Sequence, residues 1–192
     1  MALPIADKKN RVKKILIYGN PGTGKTTGAE LYCKKNELNP IVLDVDDTNF
    51  TDMPNLRIDF TQKSQMIMKH LLHWIPKIHT DYDTIVIDGI SSLIELLTPP
   101  DDKKNGFIPF KVRADNFKKL INCLNKSKCN LIFIGQSDVI IKDTAKKDDS
   151  ETYSKPIVQI NSLVNTSFYT YKSEGLFKYE CTKWRGEKEV LY

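Results

Sequence analysis

The chain has 192 residues, 40% of them hydrophobic, which suits one domain with a hydrophobic core. Its 29 basic and 24 acidic residues leave a net charge of +5, a mild bias that is compatible with nucleic-acid binding without establishing it. The sequence excludes a membrane span, since no apolar run approaches roughly 18 residues, and it lacks both a signal-peptide pattern and the cysteine spacing of a disulfide framework.

We therefore expect a single cytoplasmic domain over residues 1–192, with reduced cysteines and no membrane contact. Residues 1–12 are predicted to form a basic N-terminal arm, in which Lys8, Lys9 and Arg11 are clustered. Such an arm either touches nucleic acid or is the solvated start of the first strand.

The next segment carries the strongest motif of the chain. An apolar run from Ile15 to Tyr18 predicts a buried strand, and the pattern G-x-x-x-x-G-K-T of a phosphate-binding loop follows it over 19–26. In such a loop, glycines let backbone N–H groups turn toward an anion, Lys25 reaches the β- and γ-phosphates, and the Thr26 hydroxyl binds Mg²⁺. The alternative is an ordinary glycine turn between a strand and a helix. The residues predicted to bind the nucleotide are Asn20, Pro21, Gly22, Thr23, Gly24, Lys25, Thr26 and Thr27.

Strand and helix patterns alternate over the following hundred residues or so. The predicted elements are a helix over 25–36, strands over 41–43 and 56–60, a helix over 62–79 that Pro76 kinks or ends early, a strand over 84–88, a helix over 91–97, a helix around 117–124 and a strand over 130–134. This alternation predicts an α/β fold, a three-layer αβα sandwich around a mostly parallel sheet.

The last part of the chain has a different pattern. Residues 98–111 are predicted to form a polar loop, and residues 138–155 are predicted to be a mobile charged loop because they contain few apolar residues. Strands are then predicted over 157–160, 168–171 and 176–184, with a turn at Ser173-Glu174-Gly175. The last two strands read as a C-terminal β-hairpin.

Asp88 ends the apolar strand at 84–88. Open parallel sheets bind ligands at the carboxyl ends of their strands, so a carboxylate there can hold Mg²⁺ beside the Thr26 hydroxyl. The alternative is an aspartate that caps the next helix.

Three further acids, Asp44, Asp46 and Asp47, follow the second strand. An NTPase needs a carboxylate that orients or deprotonates the attacking water. Alternation places Asp44 and Asp46 on one face, and we assign the base to Asp46, the residue closer to the loop edge. All three could instead be capping or solvated acids. Gln136, after the fourth predicted strand of the alternating region, is a candidate sensor of the γ-phosphate or a simple turn residue.

Lys183 and Arg185 lie on one face of the last predicted strand. Two fixed cations suit a phosphate, and an arginine can stabilise transition-state charge from a neighbouring subunit. The alternative is an exposed, charged strand end. The hairpin is also rich in aromatic residues, which could stack on bases, although a core or interface role is the simpler interpretation.

Taken together, these motifs resemble those of RecA-type P-loop ATPases, and more narrowly those of small phage nucleotide-binding proteins thought to act as single-strand annealing recombinases. The resemblance rests on the segments at 19–26, 84–92 (Thr-Ile-Val-Ile-Asp-Gly-Ile-Ser-Ser), 134–137 (Ile-Gly-Gln-Ser) and 183–186 (Lys-Trp-Arg-Gly). It implies a RecA-like core that binds ATP and Mg²⁺, hydrolyses ATP, and acts on single-stranded DNA in recombination or replication, in the host cytoplasm if phage-encoded.

The resemblance also implies an assembly. Lys183 and Arg185 look like the Lys-x-Arg finger that related ATPases insert into the next subunit's site, which implies a homo-oligomer, either a ring or a filament. The DNA-binding loops of RecA relatives correspond in position to residues around 98–111 and 138–155. In that superfamily the base is usually a glutamate, and here Asp46 holds its place.

Three other functions fit part of the sequence. An AAA-type ATPase or helicase loader shares the loop motif but usually has a helical lid after the core, where this chain predicts strands. A small-molecule kinase would have an arginine-rich lid, whereas residues 138–155 contain lysines and no arginine. A nucleotide-gated binding module with little hydrolysis is compatible with an aspartate at position 46.

Overall fold

A central β-sheet organises the fold in a computed structural model that describes residues 12–46, 52–58, 62–97, 108–137 and 160–185. Most of the predicted basic arm and the whole of the predicted charged loop lie outside these residues. The strands are β1 (Lys14–Gly19), β2 (Pro40–Asp44), β3 (Asn55–Arg57), β4 (Thr84–Asp88), β5 (Asn130–Gln136), β6 (Thr166–Ser173) and β7 (Leu176–Lys183). The helices are α1 (Lys25–Lys35), α2 (Ser64–Trp74), a 3₁₀ helix (Ile75–Thr80), α3 (Ile90–Leu96) and α4 (Ile108–Lys126).

The seven strands lie in the order β3-β2-β4-β5-β1-β6-β7. All neighbours are parallel except β6 and β7, which pair antiparallel as the predicted C-terminal hairpin. The mostly parallel α/β sheet is therefore confirmed. The order also has a feature that sequence did not predict: β5 lies between β1 and β4, and β6 lies on the other side of β1.

Helices cover both faces of this sheet, which confirms the three-layer arrangement. Ile15 and Ile17 of β1 point toward α1, where they pack with Tyr32. Leu16 and Tyr18 point the other way, into the larger core formed with α2, the 3₁₀ helix, α3 and α4. Because β1 is buried on both faces, its sequence is a continuous apolar run rather than an alternating one.

Pro76 and Pro109 lie near helix boundaries. α2 ends at Trp74, and Pro76 stands at the start of the 3₁₀ helix, as predicted for a residue without a backbone N–H. α4 begins at Ile108, inside the segment predicted to be a loop. Pro109 is its second residue, a position where the missing N–H is not needed.

One predicted strand is wrong where it can be compared. Ile160 was expected to end a strand over 157–160, but residues 160–163 are helical. The Val164 N–H donates to the Ile160 carbonyl oxygen at 3.2 Å, and both side chains are buried in the larger core. Their spacing of four residues is helical, and the short apolar run alone did not distinguish it from a strand.

The hairpin turns at Glu174 and Gly175, which have φ values of 53° and 79°. Positive φ at both central residues matches the two-residue turns that suit the twist of paired strands. Residues 160–185 thus contribute a helical turn and two strands, and no helical lid occurs in that described range. None of the helices in the described ranges is long and apolar enough to cross a membrane.

Candidate active site

The carboxyl edge of the sheet brings the predicted loop and acids together. Gly19 at the end of β1 lies beside Gln136 at the end of β5. Asp88 at the end of β4 lies beside Ile134, which also belongs to β5. The strand order therefore places Gln136 between the phosphate-binding loop and Asp88.

The loop turns sharply and then enters α1. Gly22 and Gly24 have φ values of 73° and 83°, in the left-handed region that favours glycine. The Gly24 carbonyl accepts the first helical hydrogen bond, from the Gly28 N–H at 2.8 Å. No acidic residue occupies the first turn of α1, so its N-terminal N–H groups and dipole can act on an anion.

Two side chains close the loop on itself. The Thr23 hydroxyl donates to the Asn20 carbonyl oxygen at 2.7 Å, and Lys25 Nζ donates to the same oxygen at 2.8 Å. Burial lowers the pKa of Lys25, while the nearby Asp88 and Asp46 carboxylates act in the opposite direction. Lys25 thus bonds to the loop and lines the same cavity as the two acids.

Thr26 and Asp88 meet at the base of the cavity. Thr26 Oγ1 donates to Asp88 Oδ2 at 3.1 Å, and Asp88 is only 3% exposed. A hydroxyl oxygen and a carboxylate oxygen are the hard ligands that Mg²⁺ prefers. These residues therefore fit a Mg²⁺ ion that phosphate and water oxygens would complete.

Asp46 lies beside Asp88. A Cβ atom at Gly89 would come within 2.5 Å of the Asp46 carboxyl group, so glycine at 89 lets this carboxylate approach the backbone that follows Asp88. The Val45 N–H donates to the Asp88 carbonyl oxygen at 3.0 Å and fixes the end of β2 to β4. Asp44, in contrast, is 1% exposed and does not line the cavity. The geometry thus favours Asp46 over Asp44 as the candidate base.

The end of β5 is bound to the loop. The Ser137 N–H donates to the Gly19 carbonyl oxygen at 3.0 Å, and the Ser137 hydroxyl donates to Asn20 Oδ1 at 2.9 Å. Gln136 is exposed at the cavity wall just before these contacts.

These groups surround a cavity of about 470 Å³. It is lined by Pro21, Gly22, Gly24, Lys25, Thr26, Thr27, Asp46, Asp88, Ile134, Gly135, Gln136 and Phe177. Most of the residues predicted to bind nucleotide or metal, or to act in catalysis, thus line one cavity. Asn20 and Thr23 do not line it, but they stabilise the loop through the hydrogen bonds described above.

Lys183 and Arg185 lie away from this cavity. Thr170 of β6 pairs with Gly19 on one side and with Tyr179 on the other, so Tyr179 lies level with the start of the loop. Lys183, in contrast, pairs with Ser167. Because β7 carries a bulge here, these two rows lie three residues apart along β6, roughly 10 Å at 3.3 Å per residue. Lys183 Nζ donates to the Asn161 carbonyl oxygen, and burial, followed by the charge of Arg185, lowers its pKa. The two cations therefore do not reach the loop of their own chain.

The hairpin supplies site residues that sequence reasoning missed. The Tyr179 hydroxyl donates to the Gly24 carbonyl oxygen at 2.8 Å, and the Thr170 and Thr23 hydroxyls are 2.6 Å apart. Phe177 lines the cavity. The aromatic content of the hairpin was visible in the sequence, but no local pattern indicates that β6 lies next to β1.

Comparison with known proteins agrees with this geometry. A family model described as an AAA domain matches residues 11–171, which include the loop, β4 with Asp88, β5 with Gln136 and most of β6. No curated protein matches the chain. Because the family match covers most of the chain and all of the phosphate-binding loop, the chain belongs to this AAA domain family of nucleotide-binding, ATPase-like proteins.

Proposed function

We propose that the protein binds ATP with Mg²⁺ and hydrolyses it, with Asp46 as the general base. The observation that carries this proposal is the single cavity shared by Lys25, Thr26, Asp88, Asp46 and Gln136. A phosphate-binding loop alone accounts for binding; a second carboxylate beside the metal-binding pair accounts for hydrolysis.

Binding begins at the loop. Backbone N–H groups after Gly22 and at the start of α1 hold the phosphate oxygens. The Lys25 ammonium exchanges the Asn20 carbonyl oxygen for the β- and γ-phosphates. Thr26 and Asp88 hold Mg²⁺, which neutralises charge on the phosphate oxygens when it is bound.

Hydrolysis requires a water molecule in line with the γ-phosphate. Asp46 accepts a proton from that water as the new oxygen–phosphorus bond forms and the bond to the bridging oxygen of ADP breaks. Gln136, at the wall of the same cavity, donates a hydrogen bond to the γ-phosphate and helps to orient it.

Asp46→Asn tests this assignment, with Asp44→Asn as its matched control on the same strand end. Loss of a general base lowers turnover by roughly 10²- to 10⁴-fold, so we expect phosphate release by Asp46→Asn to fall by that factor while ATP binding is retained. Full turnover by Asp46→Asn would contradict the proposal. A wild-type protein that binds ATP without releasing phosphate would instead identify a nucleotide-gated binding module.

The proposal extends to single-stranded DNA as the macromolecular ligand, in recombination or replication of a phage. Its support is the resemblance carried by the motifs at 19–26, 84–92, 134–137 and 183–186, together with the net charge of +5. The strands at 166–183 also support it over a helicase loader, which usually carries a helical lid after the core.

Phosphate release with and without a single-stranded oligonucleotide tests this extension, with the duplex of the same sequence as control. We expect the single strand to change the rate and its binding to weaken steeply between 50 and 200 mM salt, since about 0.7 counterions are released per neutralised phosphate of a single strand. An unchanged rate together with no binding at low salt would reject DNA as the ligand and leave the ATPase assignment in place.

A further inference from the structure

We propose that Phe177 is the stacking surface for the base of the bound nucleotide, so that the C-terminal hairpin forms the nucleoside part of the site. This inference rests on the proposed ATP binding and adds to it the side of the loop on which the nucleoside lies.

The strand order gives the direction of the nucleotide. Asp88, Asp46 and Gln136 all lie on the side of β1 occupied by β5, β4 and β2. The metal and the γ-phosphate belong at these groups. If the γ-phosphate of a nucleotide lies at these groups, its nucleoside lies on the opposite side of the loop, toward β6 and β7.

Phe177 is the residue found on that side. It lines the same cavity, and its side chain is 41% exposed. Its ring also contacts the loop, since a Cβ atom at Gly24 would lie 2.7 Å from Phe177 Cγ. The ring is thus adjacent to the phosphate-binding backbone and accessible to a ligand in the cavity.

The contacts around Phe177 fix its position. Two residues along β7, the Tyr179 hydroxyl donates to the Gly24 carbonyl oxygen. On the paired strand, Lys172 Nζ lies 6.0 Å from the centre of the Phe177 ring. The hydrogen bond holds this end of β7 against the loop, and the ammonium is within reach of a cation–π contact with the ring.

The chemistry of the ring predicts the specificity. A phenyl ring stacks on any base but offers no hydrogen-bond donor or acceptor that distinguishes one base edge from another. Stacking on Phe177 therefore predicts similar affinities for ATP and GTP, and a weaker affinity for inorganic triphosphate, which has no base.

Phe177→Ala tests the inference by calorimetry with two probes in the presence of Mg²⁺, ATP and inorganic triphosphate. Loss of one base–aromatic stack is expected to weaken ATP binding roughly 5- to 150-fold, while triphosphate binding stays within about twofold of wild type. Phe177→Trp should retain ATP affinity. Leu176→Ala, which removes a 61% exposed neighbour that does not line the cavity, should bind both probes like wild type.

Three results would overturn the stacking role. Phe177→Ala could lose both probes equally, which would mean that the ring only supports the loop. It could keep its ATP affinity but change its oligomeric state, which would assign Phe177 to a subunit contact. Wild type could bind triphosphate as tightly as ATP. In all three cases the phosphate site stands; failure of wild type to bind either probe would instead overturn the proposed function and this inference with it.

Discussion

Gly22 and Gly24 share a left-handed backbone conformation but differ in their surroundings. At Gly22, with φ of 73°, an added Cβ would meet no atom within 4 Å. At Gly24, with φ of 83°, it would lie 2.7 Å from Phe177 Cγ and 2.9 Å from the Tyr179 hydroxyl oxygen. Gly22 is therefore required for backbone conformation alone, whereas Gly24 is also required for the approach of the hairpin.

This difference predicts unequal effects of alanine at the two positions. Gly22→Ala should lower the free energy of unfolding by about 1–2 kcal/mol through the left-handed conformation. Gly24→Ala should lose about 1–3 kcal/mol more, because the methyl group displaces the ring or the loop. Urea unfolding measures both, and equal losses would contradict the close contact. ATP affinity should fall further in Gly24→Ala, since the displaced loop carries the phosphate-binding N–H groups.

The protonation state of Lys25 makes nucleotide binding depend on pH. Burial lowers its pKa below the ordinary value of 10.5, although Asp88 and Asp46 oppose the shift. The neutral amine therefore forms at a lower pH than in an exposed lysine, and only the ammonium attracts phosphate. We expect ATP affinity to decrease as pH rises through this lowered pKa, by up to about tenfold per pH unit.

Lys25→Arg provides the control for this pH dependence. A guanidinium stays protonated throughout the same range, so the variant should bind ATP with an affinity that hardly changes between neutral pH and pH 10. Calorimetric titrations at several pH values compare the two proteins. Identical pH profiles would mean that another group, and not Lys25, controls binding.

At the scale of elements, the hairpin supports the phosphate-binding loop. The Thr23 hydroxyl gives its single proton to the Asn20 carbonyl oxygen, so the Thr170 hydroxyl is the donor in the 2.6 Å contact between the two threonines. Position 19 requires glycine, because a Cβ atom there would lie 2.3 Å from the Thr170 carbonyl oxygen. With the Tyr179 bond to Gly24, these contacts fix the loop at both ends.

Tyr179→Phe isolates one of these supports. It removes the hydrogen bond to the Gly24 carbonyl but keeps the ring, and the carbonyl still accepts from the Gly28 N–H. No buried acceptor is left without a partner, so stability should fall by only about 1 kcal/mol. ATP affinity should fall a few-fold because the loop is less well ordered. Tyr171→Phe, on the paired strand, is the matched control, and an equal effect there would reject the support role.

The features that the sequence predicted depend on residues close together in the chain, whereas those that it missed depend on residues far apart in the chain. The phosphate-binding loop and Asp88 follow from local patterns, a glycine spacing and an apolar strand with a terminal acid. The contact between Gly24 and Phe177 depends on β6 lying beside β1, which no local pattern encodes. Local sequence patterns therefore predicted the side of the cavity formed by the loop and Asp88, whereas the side formed by Phe177 required the strand order.

At the scale of the whole molecule, β7 connects two distant surfaces. Phe177 and Tyr179 contact the loop of their own chain at one end of β7. Lys183 lies toward the other end, about 10 Å from the row of Tyr179 at 3.3 Å per residue of β6. Arg185 follows beyond the strand end. If these two cations act in hydrolysis, they must therefore act on the nucleotide of a neighbouring subunit.

A mixing experiment tests this trans role. Lys25→Ala disables the loop and Arg185→Ala disables the finger, so each variant alone should release phosphate at a small fraction of the wild-type rate. In a mixed assembly, some sites combine an intact loop with an intact neighbouring arginine. Random mixing in equal amounts restores about a quarter of the sites, and the rate should rise accordingly.

The control for mixing is the double variant with both substitutions. Combined with Lys25→Ala it provides no intact loop, so the rate should remain at the background level. Light scattering should verify that the variants assemble with one another. If mixed assemblies form but recover no activity, or if wild-type turnover per chain is independent of protein concentration and of Arg185, hydrolysis is completed within one chain. The charged end of β7 would then be an exposed strand end, and the cavity bounded by Lys25, Asp46 and Asp88 would be the whole catalytic site.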